Sequence, residues 1–323
     1  VQTVTLSMAA GDAEGRVSTH FPQGLQQNRC RAHTVHIIVA IDDDPLPCRN
    51  SRFNLATMPV AEYPELPALP EVSGVVDGDA FAQAVSQVII AASRDDTLPI
   101  LTGVRMEIED DLITFLATDR YRLALRELSW KPSTPGISTS ALVKAKTLNE
   151  VAKTLGGAGD LNIAFSDDSE LIGFESGGRR TTSLLVDGDY PKIRSLFPDN
   201  TPIHATVETS ALVEAVRRVS LVAERNTPVR LAFTDGQVTL DAGTGEDAQA
   251  SEALEASLIG DDITVAFNPH YLSEGLGAFP SKYVRFSFTT PPKPAVISAQ
   301  EELTGDDRED YRYLLMPVRL PNQ

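Results

Sequence analysis

Residues 80–92 return much later in the chain as residues 211–223, with Phe81, Ala84, Val85, Val88 and Ala92 answered at constant spacing by Leu212, Ala215, Val216, Val219 and Ala223. A period this long marks a duplicated domain, because solenoid repeats run only about 20–50 residues. Both copies set apolar residues at i, i+3, i+4, i+7 and i+11, which makes one stripe on one face of a helix. The opposite face is polar, with Gln83, Gln87 and Arg94 in one copy and Arg217 and Arg218 in the other.

The repeat continues past the helix. Residues 104–108 match 229–233 and residues 111–117 match 236–242, joined by Glu-Asp-Asp and Thr-Asp-Gly turns, so each copy predicts an antiparallel hairpin. A second helix is predicted over 145–155 and 269–279, with Leu148 and Glu150 answered by Leu272 and Glu274, and Pro269 suits a first helical turn. Alternating strands follow at 161–165 and 284–288. The fold class expected is therefore α+β, in tandem strand-rich units of two helices each. A third trace lies upstream, where residues 51–64 line up with 178–191, both ending in an acidic residue, Tyr and Pro. Residues 51–67 thus read as the closing strand of an earlier unit whose preceding residues are not in this sequence. Residues 68–198 and 199–323 read as two complete units.

Residues 1–50 carry neither an amphipathic helix nor a hairpin pattern. Cys30, His33 and His36, with Cys48 downstream, superficially resemble zinc ligands, but the spacing fits no recognised set and no second knuckle supports it. The segment reads as a poorly ordered or non-native tail, and no metal or other cofactor is expected.

Composition narrows the classes further. The 323 residues allow two or three domains, and no apolar run approaches the ~20 residues of a membrane helix. Two cysteines and no secretory signal make the reducing cytoplasm the expected location. A net charge of −17 argues against a surface that attracts nucleic acid everywhere, while allowing a local basic strip. The chain has no Gly-x-Ser-x-Gly elbow, phosphate-binding glycine loop or His-Glu-x-x-His helix, and His204 and His270 have no nucleophile beside them, so a catalytic role is not expected.

Three motifs then become specific: residues 117–124 (Ala-Thr-Asp-Arg-Tyr-Arg-Leu-Ala), residues 267–272 (Phe-Asn-Pro-His-Tyr-Leu) and residues 313–320 (Tyr-Leu-Leu-Met-Pro-Val-Arg-Leu). In order and separation they resemble the bacterial sliding clamp, the β subunit of DNA polymerase III, and its actinobacterial members in particular. The resemblance runs from about Ser51 to Leu320 and implies clamp-type domains with antiparallel sheets outside and two helices inside. It implies a non-catalytic processivity factor that closes as a head-to-tail homodimer around duplex DNA, without sequence preference, and tethers the replicative polymerase, the clamp loader and other peptide-bearing factors. Tethering turns dissociation into recapture at high effective concentration.

Carried over by motif, the partner-peptide groove would use Leu101, Thr118, Arg120, Tyr121, Arg122, Leu123, Pro191 and Leu196, with Asn268, Tyr271, Met316, Pro317, Val318, Arg319 and Leu320. Its apolar members give peptide anchors a place to bury, and Arg122 and Arg319 are expected to bond peptide carbonyls or carboxylates. Ordinary strand-end packing is the other reading of the apolar set. The pattern departs from the family where Arg120-Tyr121 replaces the usual Gly-His, where Ser195 replaces an arginine, at Pro292 and Pro294, and in the extension of Pro321 to Gln323, so peptide preference stays open. Arg94, Lys146, Lys153, Arg217, Arg218 and Lys282 would face DNA; the alternative is a solvated surface charge at each. Arg52, Phe53 and Leu55 would meet Ser220, Leu221, Glu246, Glu252 and Glu255 of a second subunit, a basic edge against an acidic one. With most of a first domain absent from the sequence, a stable closed ring is not expected. The second functional reading is a peptide-binding scaffold that does not encircle DNA.

Overall fold

The computed structural model describes residues 68–319, apart from 158, 167–169, 224–226, 244–247 and 306–307, together with strands β1 (Leu46–Cys48) and β2 (Ser51–Phe53). These two strands pair antiparallel with Cys48 opposite Ser51, so a hairpin arm lies within the segment read as lacking one. Three residues per strand are too few for an alternating pattern to stand out, and the two-residue connection is the length that hairpins favour. Cys30, His33, His36, Leu55, Glu246 and Leu320 lie outside the described residues.

The middle of the chain forms β3 (Val72–Asp77), α1 (Gly78–Ile89), β4 (Gly103–Glu109), β5 (Leu112–Thr118), β6 (Arg122–Ser129), β7 (Lys131–Pro132), β8 (Ser138–Lys144), α2 (Ala145–Leu155), β9 (Asp160–Phe165), β10 (Leu171–Ser176) and β11 (Arg179–Leu184). The carboxyl half repeats that order, without a β7, as β12 (Ile203–Glu208), α3 (Thr209–Val219), β13 (Val229–Thr234), β14 (Gln237–Ala242), β15 (Ala250–Ile259), β16 (Ile263–Phe267), α4 (Pro269–Gly277), β17 (Tyr283–Phe288), β18 (Ala295–Gln300) and β19 (Arg308–Leu315). The class is α+β, as the periodicity predicts.

Helices α1 and α4 begin where a side-chain oxygen meets their free backbone donors, whereas α2 and α3 have no side-chain cap. Asp77 caps α1 by accepting from Ala80 N at 2.8 Å, and Asn268 caps α4 by accepting from His270 N and Tyr271 N. The helices end earlier than their apolar stripes: after Ile89 the amides of Ala91 and Ala92 bond three residues back, and a 3-10 turn, Ser220–Val222, follows α3. The stripe survives the tighter winding, since Ala92 stays buried. The hairpin turn after β4 sets Asp110 in the left-handed region, and its carbonyl and carboxylate are taken up by Trp130 Nε1 and Gly136 N, each at 2.8 Å.

Among the described residues all strand pairs are antiparallel, and beyond β1–β2 they form a five-stranded sheet ordered β11-β10-β9-β3-β7 and a twelve-stranded array ordered β16-β13-β14-β15-β12-β17-β18-β19-β6-β5-β4-β8. β15 turns a corner within that array, pairing with β14 over Ala250–Glu255 and with β12 beyond. The two halves of the chain meet where β19 pairs with β6, Tyr313 opposite Ala124. Helix α1 packs on α2 and α3 on α4, with the Phe81 ring against Phe115 and Phe174 in one half and Phe233, Phe286 and Phe288 in mutual ring contact in the other. A second apolar cluster covers the opposite side of β5 and β6. There Leu101, Leu116, Leu123, Leu125 and Leu142 join Tyr190 and Ile193 from the connector and Leu314 from β19.

At the seam, a Cβ on Gly275 of α4 would run into the ring of Tyr313, whose hydroxyl donates to the Tyr271 carbonyl at 3.0 Å. Gly275→Ala should therefore destabilise the chain by about 1–3 kcal/mol despite its better helix propensity. A urea denaturation midpoint equal to or above that of the parent chain would contradict this.

Candidate functional site

Residues 118–122 turn tightly from β5 into β6. Thr118 Oγ1 donates to the Arg122 carbonyl at 2.7 Å and accepts from Arg120 N, while Asp119 Oδ1 accepts from Tyr121 N and Arg122 N. Arg120 takes φ +79° to complete this turn, a conformation that costs an L side chain and that glycine adopts freely. Its reward is exposure: Arg120 and Tyr121 both stand on the surface.

Arg122 behaves otherwise than expected. Its side chain is only 3% exposed, bonded through Nε to Asp119 at 2.9 Å and through Nη1 to Glu274 of α4 at 2.5 Å, with its guanidinium 4.3 Å over the Tyr271 ring. Both carboxylate partners come from this chain, so Arg122 has no fork left for a peptide and instead ties the two halves together. Burial opposes its charge, but Tyr313, Glu274 and Asp119 outweigh that and keep it firmly protonated. Glu274 is the hub: it also pairs with Arg94 at 2.8 Å and lies 3.4 Å from His270 Nε2. Burial disfavours the Glu274 carboxylate, yet Arg122, His270 and Arg94 more than compensate and hold its carboxyl below the usual range. Neither Glu274 nor Asp119 stood out as a site residue in the sequence; Glu274 was visible only as the repeat partner of Glu150.

The carboxyl-terminal segment crosses this seam. Met316 N donates to the Tyr121 carbonyl at 2.9 Å and Val318 N to the Ala266 carbonyl at 2.8 Å, which leaves the Met316, Val318 and Arg319 side chains on the surface. Leu196, in the 3-10 turn of the connector, is exposed as well, and Tyr121 stacks on Tyr271. Leu101 and Leu123, expected as groove walls, are instead buried within the second apolar cluster. Pro191 lies exposed on the connector, Pro317 is half-buried, and the Asn268 side chain is spent in capping α4.

The remaining cations and the expected subunit edge also find partners. Lys153 pairs with Glu150, and Arg217 with Glu214; Lys146 is exposed, and Lys282 lies over the Tyr283 ring. Arg94 is largely exposed yet spans the seam to Glu274, so it is a junction residue as much as a free cation. Arg218 joins Glu252 at 2.5 Å, linking a residue expected to face DNA to one expected at the subunit edge. Next to them Leu221 is 83% exposed, Glu255 is exposed and Ser220 half-buried. Among the described residues no cluster of His, Cys, Asp or Glu is placed to hold a metal, and no helix is long and apolar enough to cross a membrane.

A second ion pair, Arg126 with Asp310, closes the seam beside Arg308. Burial opposes the Asp310 charge, and Arg126 and Arg308 overcome it, so both seam carboxyls lie below their ordinary values of 4.5 for Glu274 and 3.8 for Asp310. A depressed folded-state value stabilises above the ordinary one and is lost as pH falls through the folded one. Glu274→Gln should cost about 2 kcal/mol at neutral pH. In urea titrations from about pH 7 to about pH 3 the variant and parent curves should converge toward the acid end, since protonation removes the same charge; parallel curves would show that Glu274 does not act through its charge.

Comparison with known proteins accords with this geometry. The chain matches the profile described as "DNA polymerase III beta subunit, central domain" over residues 75–192 and that described as "DNA polymerase III beta subunit, C-terminal domain" over residues 194–319. It is 67% identical over 211 residues to the beta sliding clamp of Micrococcus luteus, covering 65% of this chain and 68% of that one. It is 54% identical over 276 residues to that of Streptomyces coelicolor, covering 84% and 73%. The crystal structure of the Bacillus subtilis DNA polymerase sliding clamp superposes with a TM-score of 0.76 at 27% identity, covering 85% of this chain and 72% of that one. With two actinobacterial relatives this similar and the repeated architecture shared, the chain belongs to the family of β sliding clamps, the β subunits of bacterial DNA polymerase III.

Proposed function

We propose that this chain is a processivity clamp: a non-catalytic cytoplasmic subunit that holds the replicative polymerase, the clamp loader and other peptide-bearing factors on duplex DNA. In this reading residues 68–198 and 199–323 are the second and third clamp domains, and residues 51–67 the last strand of a first. The observation that carries it is that Leu196, Met316 and Val318 are exposed apolar side chains, while Leu101 and Leu123 lie in a buried apolar cluster to which both halves of the chain and the connector contribute. An extended peptide can bury its apolar anchors against the exposed three, with Tyr121, Tyr271 and Arg319 contributing. Exposed Lys146, Lys153, Arg217 and Arg218 lie on α2 and α3 and supply sequence-independent attraction to phosphates, weak enough for sliding because it reads no base.

That all of these side chains lie within residues 101–319 favours a second reading, a peptide-binding scaffold without DNA encirclement, and one experiment separates the two. Fluorescence anisotropy with a labelled clamp-binding pentapeptide should give saturable binding that Met316→Ala weakens by at least about fivefold. Retention on closed circular DNA, released by linearisation, selects the clamp. Peptide binding without retention selects the scaffold, and no peptide binding refutes both.

A further inference from the structure

The turn between β5 and β6 puts neighbouring side chains in different surroundings: Arg122 is buried against Asp119 and Glu274, whereas Tyr121 is 55% exposed. Tyr121 and Tyr271, the stacked pair, are both fixed through their backbones. Asp119 Oδ1 accepts from Tyr121 N at 3.0 Å and Met316 N donates to the Tyr121 carbonyl, while Asn268 Oδ1 accepts from Tyr271 N at 3.3 Å and Tyr313 donates to the Tyr271 carbonyl. Their rings are placed by other contacts. The Arg122 guanidinium lies 4.3 Å from the centre of the Tyr271 ring, and the Tyr121 ring lies 6.1 Å from it with 25° between the planes. Both rings line a cleft of about 430 Å3, together with Arg94, Arg120 and His270. We propose that Glu274 is a positioning residue of the peptide site: by holding Arg122 it fixes the Tyr271 ring, and through that ring the exposed Tyr121 that a bound peptide meets.

Arg122 has two carboxylate partners, and they do different things. Asp119 belongs to the same turn and bonds Nε at 2.9 Å, so it fixes Arg122 only with respect to β5 and β6. Glu274 stands three residues after Tyr271 on α4, a spacing that puts the two on neighbouring positions of one helix face. Its bond to Nη1 at 2.5 Å therefore ties the guanidinium to the helix that carries the Tyr271 ring. The carboxylate is itself held from two sides: Oε2 takes Arg122, while Oε1 takes Arg94 at 2.8 Å and lies 3.4 Å from His270 Nε2, so it cannot turn away from Arg122 without disturbing the others. A guanidinium attracts an aromatic face through the ring quadrupole, and more strongly when it is out of water, as Arg122 is at 3% exposure. Replacing Glu274 by glutamine keeps the shape of the side chain but removes the charge that anchors Nη1, which leaves the Tyr271 ring without a fixed neighbour. The role rests on the peptide-binding function proposed above. A control is built into the seam: the Arg126–Asp310 pair closes the same junction but joins β6 to β19 and does not reach α4.

Anisotropy with the labelled pentapeptide should show Glu274→Gln weakening binding at least about fivefold in the full chain, but less than about twofold in a Tyr121→Ala background, because the effect passes through that ring. Asp310→Asn, which loosens the seam elsewhere, should leave the affinity within about twofold. A second measurement needs no peptide. In chains labelled with 3-fluorotyrosine, the Tyr121 resonance, identified by its loss in Tyr121→Phe, should move in Glu274→Gln and stay in place in Asp310→Asn. Glu274→Asp, which keeps the charge on a shorter arm, takes the place of Glu274→Gln if that variant does not fold, and should also move the resonance. Unchanged affinity in Glu274→Gln, an equal loss in Asp310→Asn, or equal losses with and without the Tyr121 ring would overturn the role. A parent chain that binds no peptide refutes the peptide reading, whereas a Tyr121 resonance unmoved by Glu274→Gln refutes the positioning by Glu274 whether or not peptide binds.

Discussion

The antiparallel pairing of β6 with β19 is the contact on which the rest of the molecule depends. It turns two repeated halves into one continuous array, and it brings the Thr118–Arg122 turn of one half against α4 of the other. Backbone pairing sets the register, and side chains then lock the angle. Tyr311 donates to the Gln87 carbonyl of α1, Tyr313 to the Tyr271 carbonyl, and Gln87 reaches the Ala278 carbonyl at 3.0 Å. Burying two tyrosines beside a nearly buried arginine is tolerable only because each polar head finds a partner.

The same seam separates two kinds of surface. On the helical side it is ionic: Arg122, Asp119, Glu274, Arg94 and His270 form a connected set whose charges compensate one another. On the other side it is apolar, floored by leucines from β5 and β6 and closed by the connector that carries Tyr190 and Ile193. The apolar cluster draws on both halves and on the connector, so its shape is set by the junction.

Most of the secondary structure was legible from periodicity, because each helix carries a full apolar stripe and each hairpin a turn with suitable residues. Helix ends were not, since the 3-10 windings after Ile89 and Val219 keep the stripe in place while changing the hydrogen bonds. The β1–β2 hairpin was missed because three-residue strands leave no alternation to read. For the site, motif matching singled out Arg122, Tyr271 and Met316, but it did not foresee that Arg122 is buried between Asp119 and Glu274. A positively charged residue in a binding motif looks available until the carboxylates that reach it from distant positions are known. Leu101 and Leu123 were misjudged for the same reason, as burial depends on the connector that folds over them.

The sequence by itself determined the duplication, the α+β class, the helix stripes and the motifs that point to a clamp, because these rest on spacing along the chain. Tertiary structure alone decided that Glu274 binds Arg122 and Arg94 from the other half and that Arg218 pairs with Glu252. Those outcomes depend on distances between residues far apart in the chain. Charge pairing is set by such distances, and no local pattern encodes them.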